Sequence, residues 1–437
     1  MSKKGVAKSL GLTLLGIVLF LVKIPGQGQS VFNLIVSTIE NILEPVNAWV
    51  LFIFIGVSLF GTICGTCLHA PFITKNERLA NCFVDKKMQL VTLLVAFFVI
   101  VSYLFLPFDI INTESDALVT MCANMVVFMI VAKLILPLLS DYGFSEMLEV
   151  YLRPVMKPLL KVPGSAVINM LTGMFVSVTV AVVMAIDQFQ KSVYNRRETV
   201  IIISCLTIPS MPFTMLVLQN IGEMDHFGIF YLYMCVAALL VSVIVVRLFP
   251  IRKIPEVYVG GAPAIETSGQ ADGPKWRRAL TGASEKALAT RYHPVDNVIS
   301  MVLNMISFIP YTLAWGTLMK LILAHTGIVN ILTWPYAMWM QLFGIPDAVH
   351  FAPVMVLNFI DVVMPTVLLA DVHNAAVSLR ILCMTLGEMV YIAPLLLALG
   401  CQGLTNIKEQ GAVWLLRLIL MVPAAALLYQ VFFALGG

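Results

Sequence analysis

Long apolar runs separated by short polar stretches set the pattern of this chain. Runs at 9–24, 47–68, 89–106, 117–138, 198–219, 227–249, 298–324, 376–400 and 412–435 have the length a helix needs to cross a hydrocarbon core. None of them alternates as a membrane strand would. The pattern predicts an all-α integral membrane protein, whose helices satisfy their own backbone groups in lipid. Two further runs, 164–188 and 347–372, are also long enough to cross, and their behaviour decides the topology.

The basic residues arbitrate, because Lys and Arg beside helix ends stay cytoplasmic. With Lys3 and Lys4 inside, the basic loop 70–88 is cytoplasmic and the acidic 107–116 external, which puts Arg153, Lys157 and Lys161 inside. A crossing at 164–188 would then export Lys191, Arg196 and Arg197 together with the basic stretch 250–297. If the run dips in and returns, every short loop obeys the rule. Half of such a run is about 12 residues, or roughly 18 Å of helix, which passes the midplane of a ~30 Å core. The expectation is about nine transmembrane helices plus two re-entrant hairpins, the first breaking within "GMFVSVT", residues 173–179.

The two halves after residue 140 have the same order of parts. "SEMLEVYLRPVMKPLLK" precedes Pro163, the run to Asp187, a helix from near Arg197 with the broken centre "SCLTIPSMP", and a last helix. "NILTWPYAMWMQLFG" precedes Pro346, the run to Asp371, a helix with the polar centre "CMTLGEM", and a last helix. One linking helix, 298–324, makes the copies face opposite ways. Inverted repeats with discontinuous helices meeting at the midplane are characteristic of transporters.

Composition agrees: 60% hydrophobic and 12% charged residues, with a mean hydropathy of +0.94, against roughly 25% charged in soluble domains. A net charge of +3 is too mild for a nucleic-acid partner. The N-terminus reads as an uncleaved first helix with Lys8 and Lys23 snorkelling to the two surfaces. Cys64, Cys67 and His69 are too few for a metal site and read as ordinary packing, so no metal is expected. No phosphate loop, G-x-S-x-G or H-E-x-x-H occurs, so neither nucleotide hydrolysis nor another enzymatic activity is expected, and no cofactor.

The candidate site is built from polar residues in apolar runs. Asp361 and Glu388 are carboxylates at membrane depth, where an ionisable group costs ~2.5–3.5 kcal/mol and marks function by default. Together they offer oxygen ligands for H⁺ or Na⁺. Asn358, Ser177, Thr179, Ser204, Thr207, Ser210 and Thr385 lie near the same depth. Each alone could bond to its own preceding turn; together they describe a polar pocket. Pro209 and Pro212 bracket Ser210 and must free backbone groups there. Trp334, Tyr336 and Trp339 read as an interfacial aromatic belt. The Gly- and Pro-rich stretch 255–292 reads as a flexible connector.

"VYLRPVMKPLLKVPGSAVINML", "YNRRETVIIISCLTIPSMPF" and "NFIDVVMPTVLLA" resemble the YjiH family of bacterial inner-membrane proteins, which carry the nucleoside-recognition or Gate domain. The order of elements is similar to that of concentrative nucleoside transporters, whose hairpin tips and broken helices hold solute and coupling cation. The ferrous-iron transporter's membrane part and the spore maturation proteins share the Gate name. In the family the first hairpin tip reads Gly-Ser-x-Ser-Val-Gly; "VSVTVAV" keeps Ser177, has Thr179 at the second hydroxyl and lacks both glycines.

The basic loops, the repeat and the resemblance together give four parts: scaffold helices 1–140; a first Gate-like repeat 141–249 with hairpin 164–188; a cytoplasmic basic loop 250–297; and 298–437, a linking helix and inverted second repeat with hairpin 347–372. The resemblance implies a transport fold in the bacterial inner membrane; with the buried acids and the basic loops, the expectation is a secondary transporter of a small polar solute, coupled to H⁺ or Na⁺, with a cytoplasmic N-terminus. The alternative is a non-transporting assembly subunit working with a second Gate-domain protein. A homo-oligomer is the other partner to expect.

Overall fold

The computed structural model describes residues 3–21, 30–84, 86–106, 108–140, 142–259, 261, 274–359, 364–369, 372 and 374–434. Among these the regular elements are all helical. The first half contains α1 (Lys3–Leu21), α2 (Val31–Leu43), α3 (Asn47–Thr66), α4 (Pro71–Thr74), α5 (Glu77–Phe83), α6 (Lys87–Phe105), α7 (Asp109–Ser140), α8 (Phe144–Leu160), α9 (Ala166–Phe175), α10 (Val178–Gln190), α11 (Arg196–Cys205), α12 (Met211–Asn220) and α13 (Phe227–Val245). Then follow α14 (Lys275–Ala289), α15 (Pro294–His325), α16 (Ile328–Leu342), α17 (Ala348–Leu357), α18 (Met364–Leu369), α19 (Ala375–Gly387), α20 (Ile392–Gly400) and α21 (Ile407–Tyr429).

Five described stretches are unbroken, long and apolar enough to cross a membrane: Val31–Thr66, Asp109–Ile135, Met224–Val245, Pro294–His325 and Ile407–Phe433. The expected crossings 198–219 and 376–400 are each divided, into α11 with α12 and α19 with α20. No half exceeds 13 residues, whereas a continuous crossing takes about 20.

The chain forms two compact units. One comprises Leu19–Ile135 and Tyr292–Leu332. Here α3, α6 and α15 pack side by side, and Phe52 stacks on Phe97 at 5.7 Å. Gly65 permits the closest approach: a Cβ there would sit 2.6 Å from the Phe83 carbonyl oxygen, which also accepts a 2.6 Å bond from Thr66 Oγ1. Ile53, Val57 and Phe60 form an outward stripe on α3 at 62–65% exposure, as a lipid-facing helix requires.

The other unit comprises Met1–Val18, Leu136–Arg291 and Thr333–Gly437. Within 255–292, read above as a connector, the structure places α14. Its Ala279, Ala283 and Ala287 are buried, and α14 packs on α8. Good helix formers outweigh the turn residues upstream. Lys8, expected to snorkel, has specific partners. Its ammonium donates to Ala287 O at 2.6 Å and Thr290 O at 3.1 Å, satisfying carbonyls that end α14. The chain also turns back between α9 and α10. Asn169 Nδ2 donates to Ala181 O at 3.2 Å, whereas 12 residues of straight helix would hold them ~18 Å apart.

Candidate functional site at two helix breaks

Both divided helices lie in this second unit, and α21 gives them a common reference. α11 begins beside the N-terminal end of α21: Arg196 Nη2 donates to both Glu409 carboxylate oxygens at 2.8 Å, and its Nε to Leu404 O. Asn195 starts α11 with a capping box closed by Glu198. α19 begins at the opposite end, where the Arg380 guanidinium lies 5.2 Å from the centre of the Tyr429 ring. Asn374 caps it by accepting from Val377 N–H. The two half-helices therefore run towards each other, and their ends converge on one side chain, α19 directly and α11 through Ser242.

That side chain is Arg417, fully buried. Its Nη2 donates to Gly387 O at 2.7 Å and its Nε to Glu388 O at 2.7 Å, taking up carbonyls that α19 leaves open where it stops. Its Nη1 donates to Ser242 Oγ at 2.8 Å. That hydroxyl lies 2.8 Å from Cys205 O, the last residue of α11, and 2.7 Å from Ala238 O; having one proton, it donates to one at a time. The carboxyl ends of α11 and α19 are thus joined through Ser242 and Arg417. A cation is well placed there, since a helix C-terminus carries partial negative charge. Gly387 makes room: a side chain would collide with Met421 on α21.

The first break spans 206–210. Tyr231 donates to Pro209 O at 3.0 Å. Thr207 bonds its own preceding turn through Ile203 O, at 2.7 Å, and makes the bland contact open to any helical threonine. Ser210 is half-buried at the start of α12, with no capping bond from its side chain. Ser177 stands at the start of α10 and Thr179 is exposed. No contact joins either of these to the Arg417 cluster among the described residues. Ser204 donates to Gln410 Oε1 at 2.9 Å.

The second break spans 388–391 and contains Met389 at φ 60°. Here Glu388, Asn358 and Thr385 come together, all fully buried. Asn358, one residue beyond α17, donates through Nδ2 to Thr385 O at 3.0 Å and to Glu388 Oε2 at 3.3 Å. Thr385 thus contributes its carbonyl; its hydroxyl bonds back to Leu382 O. Tyr391 donates to Leu386 O at 2.9 Å. Three buried polar atoms beside this break make no hydrogen bond: Glu388 Oε1, Asn358 Oδ1 and Trp414 Nε1. The Trp414 indole N–H faces the Glu388 carboxylate as a donor, and Arg417 lies within its electrostatic reach. Asp361 and Asp371 lie outside the described residues.

A cavity of about 10 Å³ adjoins this break, lined by Ser204, Met389, Tyr391 and Gln410 among others. That is room for about one water molecule.

Tyr336 and Trp339 leave the expected aromatic belt. Tyr336 is buried and donates to Leu418 O at 3.2 Å, while Trp339 Nε1 donates to Ile419 O at 3.0 Å. For Trp339 the reason is Pro423, inside α21. Lacking an N–H, it leaves the carbonyl four residues back, that of Ile419, without its helical partner. Arg417 is a functional residue that the sequence pattern does not reveal as a cap. The signal of function was present: a single arginine within "WLLRLILMV".

Over 317 residues the chain is 27% identical to an uncharacterized protein of Alkalihalophilus pseudofirmus, an alignment covering 69% of this chain and 66% of that protein. The chain thus spans just under two thirds of that relative's length. No solved structure matches. Residues 122–224 match the Gate family, described as nucleoside recognition. The helices α8 to α12 all fall inside this match, so the first of the two breaks lies within the stretch that is similar to the Gate family.

Proposed function

We propose that this chain is a secondary active transporter of a small polar solute, nucleoside-like or another small metabolite, driven by H⁺ or Na⁺ and resident in the bacterial inner membrane. The observation that carries the reading is the convergence of two broken helices, from opposite ends of α21, on one buried charged cluster. Lipid does not tolerate an interrupted backbone, so such breaks persist where protein buries them or where they line a path for solute or ion, and paired breaks of this kind are a transporter feature. In this reading α8–α13 and α16–α21 are inverted repeats. The pairs α9–α10 and α17–α18 are re-entrant hairpins, with Asn358 at the second tip; Asp361, outside the described residues, is assigned to the same site from the sequence. Ser177, Thr179, Thr207 and Ser210 serve the first tip and break, and Thr385 and Glu388 the second. The Gate match over the first repeat supports the same reading.

The second reading, a non-transporting assembly subunit paired with another Gate-domain protein or with its own copy, is favoured by the small size of the cavity at the break. Under the first reading that cavity belongs to a closed conformation and opens as the hairpins move. Uptake of a tritiated panel of nucleosides and small metabolites into proteoliposomes, with and without imposed H⁺ and Na⁺ gradients, decides between them. Gradient-dependent uptake of any solute supports transport. No uptake under either gradient refutes it and leaves the subunit reading.

A further inference from the structure

We propose that Arg417 is a resident cation of the transport site, and that by holding this position it restricts the ion exchanged at Glu388 to H⁺. The proposal rests on the transport reading for its purpose, but its test does not require transport. Half-helix carboxyl ends and unwound carbonyls are the ligands that Na⁺ sites in discontinuous helices use. Here those carbonyls, of Gly387 and Glu388, already accept from the guanidinium, and Cys205 O is linked to it through Ser242. A metal ion entering here would lose these ligands and meet a fixed positive charge. At an effective dielectric of about 20, a unit charge ~5 Å away lowers a second cation's affinity by a factor on the order of 300.

A proton feels the same guanidinium charge, but it is held by one covalent O–H bond and needs none of those carbonyls as ligands. On the Glu388 carboxyl it turns an acceptor into a donor, and the neighbouring Asn358 Oδ1 is a buried acceptor with no donor. When the proton leaves for the aqueous phase, the carboxylate is an acceptor again, and Trp414 Nε1 is a buried donor with no acceptor. Each protonation state therefore has a waiting partner. Both partners reach the second hairpin: Asn358 closes α17, and the Trp414 ring packs edge-on against Phe359 with centroids 5.8 Å apart. Proton exchange at Glu388 is thereby tied to the position of that hairpin. Among the described residues, the other ionisable groups around this carboxylate are Arg417 from α21, Tyr391 within the break and Tyr336 from α16, with Cys205 of α11 beside Arg417.

The test is thermal unfolding of the full chain purified in detergent, in NaCl and in choline chloride, across a pH series, for wild type, Glu388→Gln and Arg417→Gln. Wild type is expected to melt at the same temperature in both salts and to shift with pH, and Glu388→Gln to lose most of that pH shift. Arg417→Gln, its carbonyls freed, is expected to gain a rise specific to Na⁺, about 5 °C at a hundredfold excess over Kd. Na⁺-specific stabilisation of wild type overturns the proposal. So does a pH shift in Glu388→Gln equal to that of wild type, or a folded Arg417→Gln blind to Na⁺. If Arg417→Gln does not fold, the other two proteins still decide. A chain that shows these ion effects but moves no solute in proteoliposomes would sink the transport reading and leave the ion assignment standing.

Discussion

Replacing Arg417 by methionine removes the guanidinium while keeping an apolar side chain to fill much of the space. Three short hydrogen bonds go, to Gly387 O, Glu388 O and Ser242 Oγ, all at 2.7–2.8 Å and all made by a side chain with no exposed surface. A buried acceptor stripped of its donor costs about 1–3 kcal/mol. Three of them would sum to ~3–9 kcal/mol, but the variant no longer desolvates a charge, which returns part of the loss, so about 3–5 kcal/mol is the figure to expect. At ~2 °C per kcal/mol for a unit of this size, the melting temperature in detergent should fall by about 6–10 °C. Arg417→Lys should recover only part, because a point ammonium does not reproduce a fork that reaches two successive carbonyls. Intrinsic fluorescence or light scattering during a thermal ramp reads both. A fall of less than about 2 °C for Arg417→Met would refute the claim that this residue holds the carboxyl ends of α11 and α19 together.

Trp339→Phe should destabilise by about 1–3 kcal/mol through the Ile419 carbonyl it orphans, and adding Pro423→Ala, which restores the missing N–H, should recover most of that; equal melting of the single and double variants would contradict it. Asn358→Leu strips donors from Thr385 O and Glu388 Oε2 and should abolish gradient-driven uptake while the protein still elutes as one peak in size-exclusion chromatography; unchanged uptake would remove Asn358 from the site. Gly65→Ala places a Cβ against the Phe83 backbone, which is unable to yield as a flexible side chain would, and should cost about 1–3 kcal/mol in a melt; a neutral result would mean that α3 and α5 are not packed so closely. Lys8→Met should make the arginines of α14 more sensitive to trypsin by removing the cap on that helix, and an unchanged digestion pattern would count against the contact.

The parts of this structure legible in the sequence are those with a strong local cause. Pro209 and Pro212 forbid a continuous helix, and the first break lies over 206–210 as "SCLTIPSMP" suggests. The turn between α9 and α10 falls at Val176 and Ser177, inside the stretch 173–179. The second break was legible only as a polar patch, because nothing in "TLGEMVY" requires it: Met389 takes a positive φ without being glycine, and capping by Arg417 and Tyr391 makes that conformation tolerable. The caps themselves were hidden, since Lys8, Trp339, Tyr231 and Ser242 each act on a carbonyl at least 22 positions away in sequence. Periodicity and propensity do not register such pairings. Helix α14 was obscured by the glycines and prolines ahead of it, although alanines at 279, 283 and 287 mark a helical face.

The central claim is that the two breaks line a path that opens during a transport cycle. Cys205, buried at the end of α11 against the first break, reports on this most directly. With the other seven cysteines replaced, right-side-out and inside-out vesicles are treated with a membrane-impermeant methanethiosulfonate, with and without an imposed proton gradient. The account predicts that Cys205 is modified in the folded protein and that the gradient changes the rate in one vesicle orientation. A Cys205 that stays unmodified under every condition, yet reacts fully once the protein is denatured, would contradict it.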